Sequence, residues 1–271
     1  MKKCYIQNLA MNITDNCNLK CAHCLRGDSC KRNMSDDVIE ATLSQVKGVG
    51  NLAINGGEPT LAIDRIEKIV DYIIKNNIYL EEFTTTINGT IYSDELLYLL
   101  DVMNNYIGED DLLSAFAISL DKYHLAELQR LGLLDKFREN VYKYSENKYF
   151  FGLRDIYVKL FREGRAANLD DSLTVPLRPM KVLITYAGND RKFNRKDGLC
   201  NIGPSITIGT TGNITECDAS IEHQNTIYNH GNVLNESIEE NSLRRGVLFK
   251  NPKRMEKTAT KILKKYSKYE K

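Results

Sequence analysis

No run of about 18 apolar residues occurs in this 271-residue sequence, so no membrane-spanning helix is expected. Neither sign of charge is in excess. The 37 Lys and Arg against 36 Asp and Glu leave a formal net charge of +1, which removes bulk attraction to nucleic acid. The opening MKKCYIQNLAMNIT has two lysines but no sustained apolar core, which excludes a signal peptide and makes the cytoplasm the expected location. There is no internal repeat and no low-complexity segment. Cysteine is scarce at seven residues, and cysteines in a reducing compartment serve metals or redox chemistry more readily than disulfides.

What remains is ordinary soluble composition, 42% hydrophobic and 27% charged, in a chain long enough for one large α/β domain or for a barrel with a small appendage. Three of the seven cysteines crowd into CNLKCAHC, as Cys17, Cys21 and Cys24. Their sulfurs could turn toward one centre. A structural zinc site wants four protein ligands, and no fourth is obvious beside His23 and the more distant Cys30. A four-iron cubane held by three thiolates would keep one iron open. A zinc knuckle and three unrelated thiols remain alternatives on spacing alone. A second stretch, NGGEPTL at 55–61, follows the apolar run NLAI. A strand ending in two glycines brings bare backbone close to a neighbour, and Glu58 adds a carboxylate. Alone it could equally be a turn.

Together the two stretches resemble the radical S-adenosylmethionine (radical SAM) superfamily, through Cys-x3-Cys-x2-Cys followed one βα unit later by GGEP. The resemblance covers about residues 4–240. It implies that Cys17, Cys21 and Cys24 hold a [4Fe–4S] cluster, and that Gly56, Gly57, Glu58 and Pro59 meet the methionine amino group of SAM. It also implies an electron donor such as flavodoxin or ferredoxin, and cleavage of SAM to methionine and a 5′-deoxyadenosyl radical.

The fold expectation is α/β: a partial (β/α)6 TIM-type barrel with a small C-terminal β-hairpin and helix. Barrel strands are read at 5–14, NLAIN, EFTTTIN, LLSAFAISL, DIYVKLF (155–161) and MKVLITY (180–186). Between them, Val38, Ile39, Leu43 and Val46 share one helical face, and Ile63, Ile66, Ile69, Val70, Ile73 and Ile74 another. A third helix starts at Ser93. Active residues in such barrels sit at the C-terminal strand ends, where the cysteine loop, GGEP, Asn88 and the Ser119–Asp121 segment all fall. Asn88, Ser119 and Asp121 are therefore candidates for SAM contacts, with turn formation and strand-end capping as the plainer roles. His124 and Arg165 are the candidate catalytic residues, against a packed histidine and a surface arginine.

The expected division is a barrel over 1–190 and an extension over 191–271. SITIGTTGNITECDA reads as a β-hairpin. Cys200, Gly212 and Cys217 give Cys-x11-Gly-x4-Cys, which resembles the opening of the SPASM and twitch extensions of peptide-modifying radical SAM enzymes. HGNVLNESIEE (230–240) resembles the segment that follows in them. No cysteine follows Cys217, so the extension is expected to keep the shape without an auxiliary cluster. A last helix is expected from Asn251-Pro252, with Met255, Ile262, Leu263 and Tyr266 as its apolar face. Residues 250–271 carry nine Lys or Arg and two acidic residues, a face that solvent satisfies.

The expected substrate is a peptide, as in maturation of ribosomally made peptides. The first strand begins near residue 4, which counts against a peptide: a separate partner would have to grip any leader, or the substrate is small. The alternatives are a small-molecule or nucleotide-derived substrate on the same scaffold, and a metal-binding protein without catalysis. A nucleic-acid or membrane partner is not expected.

Overall fold

A computed structural model describes residues 4–108, 114–155, 159–186 and 199–266. Five parallel strands lie side by side in chain order: β1 (Cys4–Thr14), β2 (Val46–Gly56), β3 (Tyr79–Ile87), β4 (Ser114–Ser119) and β5 (Phe150–Arg154). Parallel neighbours require crossovers, and helices supply them: α1 (Asp36–Leu43), α2 (Ile63–Lys75), α3 (Asp94–Ile107), and the pair α4 (Lys122–Arg130) and α5 (Leu134–Ser145). Ser35 and Ser93 cap α1 and α3 by accepting from Val38 N and Leu96 N.

Strand alternation separates two faces. The outer row Leu9–Leu52–Phe83 and the next, Met11–Ile54, pack under Ile66, Ile69, Leu96 and Leu100 of the helices, all essentially inaccessible. Each such Leu or Ile contributes about 1.5–3 kcal/mol by burial. The inner row Ala10–Ala53–Thr84–Ala115 carries small side chains, leaving an open lumen.

The α/β partial-barrel class holds, and several details differ from expectation. Val46 begins β2 rather than ending the first helix, because α1 stops at Leu43 and Ser44 caps it. The fifth strand is FFGLR at 150–154, not DIYVKLF. Helix α5 ends at Ser145, and a four-residue connection delivers the chain straight back beside β4. Of DIYVKLF, residues 156–158 lie outside the described set. Among the described residues, Leu160–Phe161 (β6) pairs with Thr174–Val175 (β7) alone.

Within MKVLITY, Leu183–Thr185 (β8) runs antiparallel to Cys200–Gly203 (β9), which is parallel to β1. The expected sixth parallel strand thus joins the β1 side, and β5 is left at the opposite end of the sheet among the described strands.

The expected hairpin forms as β10 (Ile206–Ile208) and β11 (Ile214–Thr215), with β10 paired to the middle of β1. Strands of the expected extension therefore belong to the barrel's own sheet. Short helix α6 (Ile221–Gln224) follows. Then come α7 (Ile238–Arg245), with a Ser237–Glu240 capping box, strand β12 (Val247–Leu248) beside β8, and α8 (Pro252–Tyr266). Asn251 caps α8 as expected. Met255 and Ala259 bury against Leu183, whereas Leu263 is exposed. No described helix is long and apolar enough to cross a membrane.

Candidate active site

The C-terminal ends of β1 to β5 converge on one cavity of about 510 Å³. Cys17, Cys21 and Cys24 border it from the loop after β1, Gly57 from β2, Asn88 from β3, Ser119 from β4 and Arg154 from β5. All three cysteines are free thiols.

The cysteine loop is fixed from every side by polar contacts. Asp15, 2% exposed, accepts from Arg26 Nη2 (2.9 Å), Arg32 Nε (2.9 Å) and Thr210 Oγ1 (2.6 Å). Ser29 Oγ accepts from Cys17 N at 2.7 Å, and Glu127 Oε1 from Lys20 N at 2.9 Å. Arg165 donates to the carbonyls of Cys21 and Gly27 and pairs with Asp28 at 3.1 Å. Its guanidinium is thereby committed to the loop, although it borders the cavity.

The double glycine has a geometric reason. A Cβ on Gly57 would stand 2.3 Å from Asn16 O and 3.0 Å from Cys17 Cβ, and one on Gly56 would stand 2.7 Å from Thr14 O. Gly57 N and Glu58 N donate to Thr14 O and Asn16 O. The bare backbone expected here thus packs directly on the segment that carries Cys17.

Glu58 is 1% exposed and accepts from Thr60 N (3.0 Å), Thr60 Oγ1 (2.6 Å) and Asn88 N (2.7 Å). Burial pushes its carboxyl up to about 7, while the three donors act in the opposite direction. Pro59 opens the short turn that Glu58 caps. Asn88 donates through Nδ2 to Asn18 Oδ1 at 2.8 Å and lies 4.0 Å from Cys17 Sγ.

Ser119 faces the cavity. Asp121 does not border it: its carboxylate caps α4, accepting from Tyr123 N and His124 N at 2.9 Å, and meets His23 Nε2 at 3.3 Å. His124 is 2% exposed, and burial lowers its pKa. Its Nε2 donates to Asn88 O at 3.0 Å, which leaves Nδ1 as the unprotonated nitrogen, 3.9 Å from Cys21 Sγ.

Of the residues singled out in the sequence, the structure brings Cys17, Cys21, Cys24, Gly57, Asn88, Ser119, His124 and Arg165 around the cavity. Gly56, Glu58 and Pro59 stand just behind it. Sequence reading missed Arg154, whose strand it placed a few residues too late, and Asp15, whose partners are scattered from Arg26 to Thr210.

The donor set fits a cluster better than a single ion. Among the described residues no three His, Cys, Asp or Glu side chains can hold one metal ion. A mononuclear site would need every ligand about 2.0–2.3 Å from one point. A cubane takes one thiolate per iron and so tolerates sulfurs spread around a cavity. Burial pushes the Cys17 thiol up to about 11 and that of Cys21 up to about 12, so binding must displace protons.

Known proteins were compared with this chain at the level of family, sequence and fold. The family model described as the radical SAM superfamily matches residues 11–149. GTP 3′,8-cyclase of Clostridium perfringens (strain 13 / Type A) is 28% identical over 176 residues, covering 60% of this chain and 50% of that protein. A probable GTP 3′,8-cyclase of Methanothermobacter thermautotrophicus is 34% identical over 90 residues, covering 32% of this chain and 28% of its own. The chain spans about half the length of the first of these. Among solved structures, anSMEcpe with bound AdoMet and Cp18Cys peptide is 16% identical with a TM-score of 0.44, covering 89% of this chain and 82% of that one. Streptococcus suis SuiB bound to precursor peptide SuiA is 12% identical with a TM-score of 0.39, covering 88% and 64%.

Proposed function

Since the chain belongs to the radical SAM superfamily, an S-adenosylmethionine-dependent iron–sulfur enzyme family, we propose that Cys17, Cys21 and Cys24 hold its [4Fe–4S] cluster and that its substrate is a peptide. The bound cluster and SAM supply reductive cleavage to methionine and a 5′-deoxyadenosyl radical, which takes hydrogen from the substrate. The observation that carries the cluster assignment is the meeting of three free thiols with Gly57, Asn88 and Ser119 around one cavity.

The residues of the chain divide the work. Arg165, Asp15 and Glu127 hold the cysteine loop in place. Gly57 and the Glu58–Asn88 contact fix the wall that receives the methionine end of SAM. Ser119 presents a hydroxyl for the ribose or carboxylate. His124 acts as a positioning residue, tying Asn88 to the neighbourhood of Cys21. A low-potential flavodoxin or ferredoxin delivers the electron. The peptide reading is supported by the likeness of the Cys200–Cys217 hairpin to peptide-modifying extensions.

Anaerobic protein reconstituted with iron and sulfide, then reduced with dithionite, is expected to convert SAM to 5′-deoxyadenosine and methionine. The triple variant Cys17→Ala, Cys21→Ala, Cys24→Ala is expected to lose this activity, and undiminished cleavage in it would refute the assignment. A second reading, chemistry on a guanine nucleotide, is favoured by the match to GTP 3′,8-cyclases. Consumption of GTP together with SAM by the same preparation would establish it.

A further inference from the structure

The chain as a whole is nearly neutral, but its charge is not evenly spread. Residues 250–265 carry seven Lys or Arg and one acidic residue, Glu256, and all of these charged side chains are exposed. Helix α8 turns its apolar side inward, where Met255 and Ala259 bury against Leu183 and Ile262 packs beside them. A groove of about 230 Å³ lies beside the last turns of this helix. Phe161, Pro179, Met180 and Ile262 give it an apolar floor, and the exposed Arg178, Lys181 and Lys265 give it a cationic rim. None of the described residues that line it is acidic.

Phe161 also fixes where the groove lies. It is the second residue of β6, whose first residue, Leu160, borders the cavity of the three cysteines. Successive side chains of a strand leave opposite faces. The groove and the cavity are therefore back to back across the β6–β7 layer, roughly 10 Å thick with its side chains. The turn after β6 clamps this layer to the cysteine loop. Arg165 N donates to Cys24 O at 2.9 Å, and the Arg165 guanidinium donates to the Cys21 and Gly27 carbonyls.

This placement selects the occupant. A substrate in the groove would lie on the wrong side of the layer from the radical, whereas an electron crosses such a distance. Electron-transfer partners meet through small, transient contacts, and a cationic rim around an apolar centre suits an acidic protein. Resting on the reading of a radical SAM enzyme above, we propose that the groove beside α8 docks the acidic, low-potential electron carrier, a flavodoxin or ferredoxin. The docked carrier gives up one electron across the β6–β7 layer and is itself oxidised by one electron. Cleavage of SAM to methionine and the 5′-deoxyadenosyl radical consumes that electron.

The test uses anaerobic holoprotein and a bacterial flavodoxin. Calorimetric titration with oxidised flavodoxin is expected to show binding that weakens as ionic strength rises from about 0.05 M to about 0.5 M. Lys181→Glu with Lys265→Glu is expected to weaken binding about tenfold or more. Lys75→Glu with Lys136→Glu, at exposed positions of α2 and α5, changes the net charge equally and is expected to leave binding unchanged. Zero-length carbodiimide crosslinks to flavodoxin carboxylates, mapped by mass spectrometry, are expected at Lys181, Lys261 or Lys265. Formation of 5′-deoxyadenosine driven by NADPH, flavodoxin reductase and limiting flavodoxin is expected to fall in the Lys181→Glu, Lys265→Glu variant by the same factor as binding. With dithionite, a small reductant that needs no docking site, the variant is expected to match wild type.

Unchanged flavodoxin affinity in the Lys181→Glu, Lys265→Glu variant would overturn the proposal, as would an equal loss in the control pair or crosslinks confined to other lysines. Binding of hexaglutamate as tight as that of flavodoxin would make the groove a peptide site and overturn it as well. A parallel loss under dithionite would show the two lysines acting on the fold, with the same consequence. Each of these results leaves the parent reading standing. Absence of dithionite-driven SAM cleavage in iron-replete wild-type protein overturns the parent reading and this proposal with it.

Discussion

At Gly57 the obstacle to any larger residue is the chain's own backbone. A valine there would press on Asn16 O and Cys17 Cβ, and an approach as close as 2.3 Å to a main-chain oxygen cannot be relieved by a rotamer change. Gly57→Val is therefore expected to displace Cys17, lowering both bound iron per chain and SAM affinity, with far-ultraviolet circular dichroism still reporting a folded barrel. Unchanged iron content and calorimetric affinity would contradict this. Glu58 carries a pH signature. Burial raises its folded pKa from 4.5 to about 7, so the folded state binds the proton more tightly than the unfolded chain. Its contribution is fully present below about pH 4.5 and fades as pH rises through about 7, a change on the order of 3 kcal/mol. Wild-type Tm compared with that of Glu58→Gln between pH 5 and 8 should show a pH-dependent difference. Parallel curves would show that Glu58 does not titrate in this range.

The cysteine loop and the β10–β11 hairpin behave as one structural element, joined at Asp15. Its carboxylate takes Arg26 and Arg32 from the loop and Thr210 from the hairpin turn. Removing this buried carboxylate takes the ion-pair partner from the largely buried Arg26, while the half-exposed Arg32 turns to solvent. Asp15→Ala is expected to cost about 3 kcal/mol of stability in urea unfolding and to hasten cluster loss on exposure to air. A variant as stable as wild type would show that water replaces the carboxylate. Arg165 contributes to the same element from the far side, through the Cys21 and Gly27 carbonyls.

Across the whole molecule the remaining cysteines fall in different surroundings. Cys4 and Cys200 are register partners at the N-terminal end of β1, buried together, and their mutual hydrogen bond and burial push the Cys4 thiol upward. Cys217 faces the lumen instead. A second cubane would need three or four thiolates at one place. Reconstituted protein is therefore expected to hold about four irons per chain, and the Cys17, Cys21, Cys24 triple-Ala variant almost none. A stoichiometric cluster surviving in that variant, and lost on further change of Cys200 or Cys217, would assign metal to the hairpin.

Local chemistry was readable from the chain alone. The spacing of Cys17, Cys21 and Cys24 and the glycines beside Glu58 lie within short segments, and the strand and helix periodicities of 5–107 are strong because each element buries one face. The helix starts at Ser93 and Asn251 were legible for the same reason. Pairings between distant segments were not. That β9 and β10 join β1, that the chain near 183–185 turns antiparallel, and that Asp15 gathers Arg26, Arg32 and Thr210 all depend on contacts whose partners lie up to 197 residues apart. Strand β5 was misplaced because the β-branched run after it carries the stronger propensity, while the length of α5 and its short connection decide where the chain returns. Asp121 and Arg165 show the same limit. Their residue types suit a ligand, but a helix N-terminus claims one and the cysteine loop's carbonyls claim the other. Only the assembled tertiary structure determines which polar groups are satisfied internally and which, like Asn12 Nδ2, are buried without a partner.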